Sequence, residues 1–166
     1  MSDGPSLPRT GLVIVASTRA ARGLYEDRSG PVLVDWLRSR GFEAPSPRVV
    51  EDRLIGVELD ALLGDRERLP RVTLISGGTG LNAEDRTVEA LRPHLDKEIP
   101  GIAHAFWARG LESTPAAVLS RTLAGVAGRG FLMALPGSRG GAADGAAVLD
   151  PLLEHILRQL EDYHDR

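Results

Sequence analysis

The sequence predicts an α/β protein: a single domain built on a largely parallel sheet with helices on both faces. Three observations carry that expectation. The chain has 166 residues, the length of one domain that can bury a proper core. Short β-branched runs alternate with segments whose apolar residues recur at helical spacing, the pattern of right-handed strand-helix-strand crossovers. Glycine and proline punctuate the boundaries between them.

The run "GLVIVAS" (Gly11 to Ser17) reads as a fully buried first strand. Thr18 to Gly30 has no steady period and reads as a long loop, of the kind that is functional or disordered inside a compact domain. Pro31 suits the first turn of a helix in which Val32, Leu33, Trp36 and Leu37 recur until Gly41 stops it. "PRVVED" (Pro47 to Asp52) is a second strand with an acidic end. The following helix carries Leu54, Ile55, Leu59, Leu62 and Leu63 as its stripe and closes at Gly64. "RVTLIS" (Arg71 to Ser76) is the third strand. Beyond it Thr87 to Leu95 is helical and Pro100 opens another short helix, while "TPAAVLSRTLAGVAGRG" does not divide into strand and helix. Phe131 to Leu135 is a buried strand. Asp144 to Leu160 reads as one terminal amphipathic helix with Val148, Leu152, Leu153, Ile156 and Leu160 inward.

Composition excludes several functions. The net charge is −3, which leaves no electrostatic footprint for nucleic acid. There are no cysteines, so disulfides, thiolate zinc sites and a thiol nucleophile are ruled out together. No stretch approaches membrane-spanning length and the proline-containing start is not a signal peptide, so the expected location is the cytoplasm. His94, His104, His155 and His164 have no ligand-pair spacing on one helical turn, and packing or surface roles are expected. Trp36, Phe42 and Trp107 are expected in the core or an interface, and aromatics are too scarce for a stacking platform.

The stretch "SGGTGLNAEDRT" (Ser76 to Thr87) stands apart, with Gly77, Gly78 and Gly80 following directly on the third strand. Glycine admits positive φ and lets a ligand lie against backbone N–H groups, and phosphate is a common guest at a strand-to-helix junction; a simple turn is the alternative. The loop has no Gly-Lys-Ser/Thr ending, so it is not a P-loop. Gly78, Gly80 and Ala83 match the dinucleotide pattern on paper, but after the third strand rather than the first, with Glu98 beside a helix start. In open α/β sheets ligands sit at the carboxyl ends of strands, where Ser17, Asp52 and Gly77 to Gly80 all fall. Asp52 and Asp85 could share a magnesium ion bridging to phosphate, or each could simply cap a helix. Ser120 and the loop Pro136, Gly137, Ser138 are further candidate ligand contacts or turn residues. Arg19, Arg22 and Arg28 form a solvated basic face, or one of them meets a phosphate.

The blocks "LISGGTGLNAEDRT", "EIPGIA", "STPAAVLSRTLAGVAG" and "FLMALPGS", in that order, together with "VASTRAARGLYEDRSGP", resemble the Mog/MoaB family of molybdenum-cofactor biosynthesis, the molybdopterin adenylyltransferases. The resemblance runs from about Gly11 to Leu160. It implies a three-layer α/β/α sandwich with a mostly parallel central sheet, residues 1–10 as a flexible N-terminal segment and 11–166 as the molybdopterin-binding domain. It also implies an enzyme that transfers AMP from magnesium ATP to molybdopterin and releases pyrophosphate, commonly as a homotrimer that hands its product to a molybdate-insertion protein. By the same resemblance Asp52 and Asp85 would be catalytic and organise Mg2+ and the triphosphate, and Gly77, Gly78, Thr79 and Gly80 would hold the substrate's phosphate end. Ser17, Ser120, Pro136, Gly137 and Ser138 would line the pocket.

The chain departs from the family pattern at several positions. Thr18 stands where an Asp is usual, Val88 where a Pro is, His104 where a Glu is and Trp107 where an Arg is common. Ala134 replaces an Asn and Gly140 a Lys, with Arg139 or Arg109 as candidates to compensate. The replacements at Thr18 and Val88 are mild; those at His104, Trp107, Ala134 and Gly140 are expected to remove polar groups from the pocket end, and the missing Glu, Asn and Lys make a non-catalytic pterin- or nucleotide-binding module of the same fold, or a scaffold, the alternative function.

Overall fold

The computed structural model describes residues 7–161. The chain runs β1 (Gly11–Ala16), α1 (Thr18–Ala21), α2 (Ser29–Ser39), β2 (Arg48–Val50), α3 (Ile55–Leu63), β3 (Val72–Ser76), α4 (Thr87–Leu91), β4 (Lys97–Glu98), α5 (Pro100–Leu111), β5 (Leu123–Ala127), β6 (Gly130–Leu135), α6 (Arg139–Leu149) and α7 (Leu153–Glu161). Short 3-10 turns at Asp52–Leu54, Arg66–Arg68, Arg92–His94 and Pro115–Leu119 fill the connections. The expected flexible segment lies outside the described residues at positions 1–6, as do 162–166 of the expected domain.

The six strands form one sheet in the order β2-β1-β3-β6-β5-β4. β2, β1, β3 and β6 are mutually parallel, β5 runs antiparallel to β6, and β4 antiparallel to β5. Side chains alternate across the sheet with the period of two that a strand imposes. Val13 and Val15 of β1 pack with Leu33 and Leu37 of α2, Phe106 of α5, Leu149 of α6 and Leu157 of α7. Leu12, Ile14 and Ala16 pack with Ile55, Leu59 and Leu63 of α3 and Val88 and Leu91 of α4. The fold is therefore the expected three-layer α/β/α sandwich, and burial of these two clusters is its main source of stability.

Three expectations need correction. The unassigned stretch contains β5, a strand of small residues that turns through Gly128 (φ 53°) into β6. A Cβ on Gly125 would lie 2.5 Å from the Lys97 carbonyl oxygen, so the smallness that hides this strand in sequence is what lets β4 close against it. The single terminal helix is two, α6 and α7, broken at Asp150–Pro151–Leu152 because proline cannot continue an α-helix interior. Leu152, expected inward, is exposed at that break, while Leu157 is buried in its place. Leu54 precedes α3 in a 3-10 turn and is likewise exposed, so the inward stripe is Ile55, Leu59 and Leu63.

Candidate functional site

The glycine loop leaves the carboxyl end of β3 between β1 and β6, the strands on either side. Gly77 has φ 96° and Gly78 φ 72°. A Cβ on Gly77 would sit 2.2 Å from the carbonyl oxygen of Ala16, and one on Gly78 would sit 2.1 Å from Thr87 Oγ1. Left-handed backbone and close packing thus both demand glycine here. The Gly77 N–H is used by the fold, donating to the Leu135 carbonyl at 2.8 Å. The N–H groups of Gly78, Thr79 and Gly80 have no acceptor among the described residues, so three of the four expected residues leave main-chain donors at the site.

Arg121 clamps this loop from the start of β5. Its backbone N–H donates to the Thr79 carbonyl (2.8 Å), its Nε to the Gly80 carbonyl (2.9 Å) and a terminal nitrogen to the Asp85 carbonyl (2.8 Å). A charge-assisted contact with Glu89 completes the set and holds that carboxyl below its ordinary range. The sequence marks Arg121 only by its place in "LSR", next to Ser120.

The two candidate acids behave differently from helix caps. Asp52 Oδ2 accepts from the Thr18 N–H and from the Thr18 hydroxyl, both at 2.8 Å, across the gap between the first two strand ends. Asp85 Oδ2 accepts from the Asn82 N–H (2.9 Å) and closes the turn that follows the glycines, while Arg86 occupies the cap position of α4 without a side-chain capping bond. The Oδ1 atom of each carboxylate is without a partner among the described residues. The serines do fill cap roles: Ser17 Oγ accepts from the Ala20 N–H (3.2 Å) and Ser138 Oγ from the Gly141 N–H (3.0 Å). Ser120 Oγ shares hydrogen bonds with the hydroxyls of Thr79 (2.9 Å) and Thr122 (3.1 Å).

The glycine loop, the two acids and the serines meet in one cleft of about 650 Å³ at the carboxyl ends of β1, β3 and β6. Ser17, Asp52, Gly77, Gly78, Thr79, Gly80, Asp85, Ser120, Pro136, Gly137 and Ser138 all line it. The structure adds Thr18, Arg19, Tyr25 and Asp27 from the segment expected to be a functional loop, together with Glu84 and the apolar Leu81 and Leu119. The first part of that segment is the short helix α1 rather than loop. The Arg19 guanidinium lies 5.5 Å over the Tyr25 ring. Asp27 Oδ1 accepts from Ser29 N (3.0 Å), Ser29 Oγ (2.9 Å) and Gly30 N (3.1 Å), fixing the start of α2 at the cleft mouth.

Of the departures from the family pattern Thr18 lines the cleft, whereas the four expected at the pocket end fall elsewhere. His104, Trp107, Ala134 and Gly140 do not line the cleft. His104 and Trp107 pack edge to face on α5 with centroids 5.4 Å apart, and Trp107 reaches the site only by donating to the Ser120 carbonyl (2.8 Å). Ala134 is buried within the sheet and Gly140 is exposed on α6. Arg109 pairs with Asp144 (3.0 Å), and neither it nor Arg139 lines the cleft. Of the basic face, Arg19 alone of Arg19, Arg22 and Arg28 does so.

Among the described residues no three His, Cys, Asp or Glu side chains cluster as a metal cage. Two carboxylates with one unengaged oxygen each do suit magnesium, which keeps waters and takes one or two carboxylates plus phosphate oxygens. No helix of the described residues is long and apolar enough to cross a membrane.

Comparison with known proteins agrees with this layout. The family described as "Probable molybdopterin binding domain" matches residues 12–155. The chain is 36% identical over 151 residues to a molybdenum cofactor biosynthesis bifunctional protein of Synechococcus elongatus, covering 90% of this chain but 46% of that relative, so it spans about half of that protein's length. It is 33% identical over 156 residues to the molybdopterin adenylyltransferase of Pyrococcus furiosus, covering 90% of each. The solved Mog protein of Mycobacterium ulcerans superposes with a TM-score of 0.84 at 41% identity, over 92% of this chain and 99% of that one. A cleft at the parallel strand ends, a glycine loop with free N–H donors and a domain match across most of the chain lead to one assignment: the chain belongs to the Mog/MoaB family of molybdenum cofactor biosynthesis proteins.

Proposed function

We propose that the protein is a molybdopterin adenylyltransferase, transferring AMP from magnesium ATP to molybdopterin with release of pyrophosphate. The observation that carries this reading is the convergence of Asp52, Asp85 and the donors of Gly78, Thr79 and Gly80 on one cleft. An oxygen of the pterin's terminal phosphate forms a bond to the α-phosphorus of ATP, the bond from that phosphorus to the β-phosphate oxygen breaks, and the electron pair leaves with pyrophosphate. Both reactants are anions, so the protein's task is to align them and offset their charge. The free N–H groups of the glycine loop hold the substrate phosphate. Asp52, oriented by Thr18, and Asp85, fixed by Asn82, would hold Mg2+, and the ion would supply charge screening for the triphosphate. Ser17, Ser120 and Ser138 supply hydroxyls to the ligands.

The alternative of a non-catalytic binding module rests on the missing Glu, Asn and Lys, and none of His104, Ala134 and Gly140, which stand in their places, lines the cleft. Incubation of the pure protein with molybdopterin and magnesium ATP tests the proposal. Pyrophosphate release above that of an Asp85→Asn variant is the expected result, and tight pterin binding with no release would establish the alternative. A cytoplasmic homotrimer that passes its product to a molybdate-insertion protein completes the proposal, and sedimentation would reveal the trimer.

A further inference from the structure

A second hollow of about 510 Å³ opens beside the cleft. It shares Thr18, Asp52 and Glu84 with the cleft, and its own walls carry three arginines, Arg22, Arg53 and Arg86. Glu51 is shared by two of them: Arg22 approaches it with Nε and a terminal nitrogen at 3.3 Å each, and Arg53 Nε donates at 2.8 Å. One carboxylate between two guanidiniums leaves a positive charge over, and the Glu51 carboxyl is held below its ordinary range by those two hydrogen bonds. Arg86 donates only to the Ala83 carbonyl (3.2 Å) and has no carboxylate partner among the described residues. The side chains of Arg22 and Arg53 are 57% and 70% exposed, so their planar donors can turn towards an anion.

Resting on the adenylyltransferase reading, we infer that this hollow is the seat of the β- and γ-phosphates of ATP and hence of the departing pyrophosphate. An in-line displacement requires the attacking and leaving oxygens on opposite sides of the α-phosphorus. The glycine loop lies in the cleft, the arginines lie in the hollow, and Thr18, Asp52 and Glu84 form the boundary where the α-phosphorus would stand. Guanidinium groups offer paired N–H donors that match two phosphate oxygens at once. Glu51, Asp52 and Glu84 balance the three arginines in charge, so a diphosphate enters with a divalent counter-ion and binding requires magnesium.

Calorimetric titration of inorganic pyrophosphate into the full chain, with and without magnesium, tests the inference. Magnesium-dependent binding that weakens at least tenfold in an Arg22→Ala/Arg53→Ala variant and again with Arg86→Ala, while AMP affinity stays unchanged, is the expected result. An unchanged thermal midpoint in these exposed variants shows that they fold. Pyrophosphate that fails to bind the parent chain at millimolar concentration, binds the triple variant equally well, or is matched in affinity by inorganic phosphate overturns it. Failure of the adenylyltransferase reading has a different signature: no pyrophosphate is released from the two substrates, although added pyrophosphate still binds through the arginines.

Discussion

Thr18 holds Asp52 through three hydrogen bonds: its N–H and hydroxyl both donate to Oδ2 at 2.8 Å, and its hydroxyl oxygen accepts from the Asp52 N–H at 3.1 Å. A residue that departs from the family pattern is thus the one that aims a candidate catalytic carboxylate. Thr18→Val keeps the shape and removes the two bonds made by the hydroxyl, at a cost of about 1 kcal/mol. The expected outcome is a drop of about tenfold in pyrophosphate release, as for loss of a positioning contact worth about 1.4 kcal/mol in the transition state, with Thr18→Ser near the parent. Equal activity of the valine variant would remove Thr18 from the site's machinery.

Gly77 is the position in the loop where a side chain is least tolerable. Gly77→Ala drives a Cβ against the Ala16 carbonyl at positive φ, and a loss of about 1–3 kcal/mol or more is expected in urea denaturation. Gly140→Ala, on an exposed helical position with open space around its Cα, should be neutral or stabilising by about 0.5–1 kcal/mol. The contrast separates loop strain from a general effect of losing glycine.

Arg121 joins the glycine loop to the Asp85 turn, so Arg121→Ala should raise the KM for the pterin substrate several-fold and lower kcat less. Lysine cannot span the carbonyls of Gly80 and Asp85 together, and Arg121→Lys should not restore the parent value. Faster exchange of the Asp85 and Thr87 amides, which donate to the Asn82 and Gly78 carbonyls, would accompany it in both variants. A normal KM in Arg121→Ala would show that the loop holds its shape unaided.

Asp96 ties the sheet's antiparallel edge to the 3-10 turn after α3. It accepts from Arg66 at 2.6 and 2.7 Å and from the Gly128 N–H at 2.7 Å, and the Arg66 bond, first among the causes, lowers its pKa. A carboxyl whose folded pKa lies below its unfolded value stabilises above the unfolded value, near pH 4, and loses that contribution as pH falls through the folded one. Denaturation between pH 5 and about pH 2 should therefore show a steeper acid loss in the parent than in Asp96→Asn. Identical slopes would refute the linkage.

Taken by itself, the sequence determined the layered architecture and the level at which ligands meet it. Periodicity needs no partner to be read: Val13 and Ile14 face opposite ways because a strand alternates, and Leu33 and Leu37 share a face because a helix turns every 3.6 residues. Strand ends at Ser17, Asp52 and Gly77 follow from the same patterns, which is why Ser17, Asp52 and the glycine loop meet at one cleft. What the tertiary structure alone decided depends on pairs distant in sequence. Thr18 finds Asp52 only when β1 and β2 lie side by side, Arg121 reaches Gly80 and Asp85 only when β5 returns beside β6, and His104, Trp107, Ala134 and Gly140 leave the cleft through the paths of α5, β6 and α6. β5 emerged from a run diluted by Ala124, Gly125 and Ala127 because pairing along a sheet is settled by neighbours in space, for which a local apolar pattern has no symbol, whereas the break of the terminal helix at Pro151 is a local signal that the apolar stripe running across it masked.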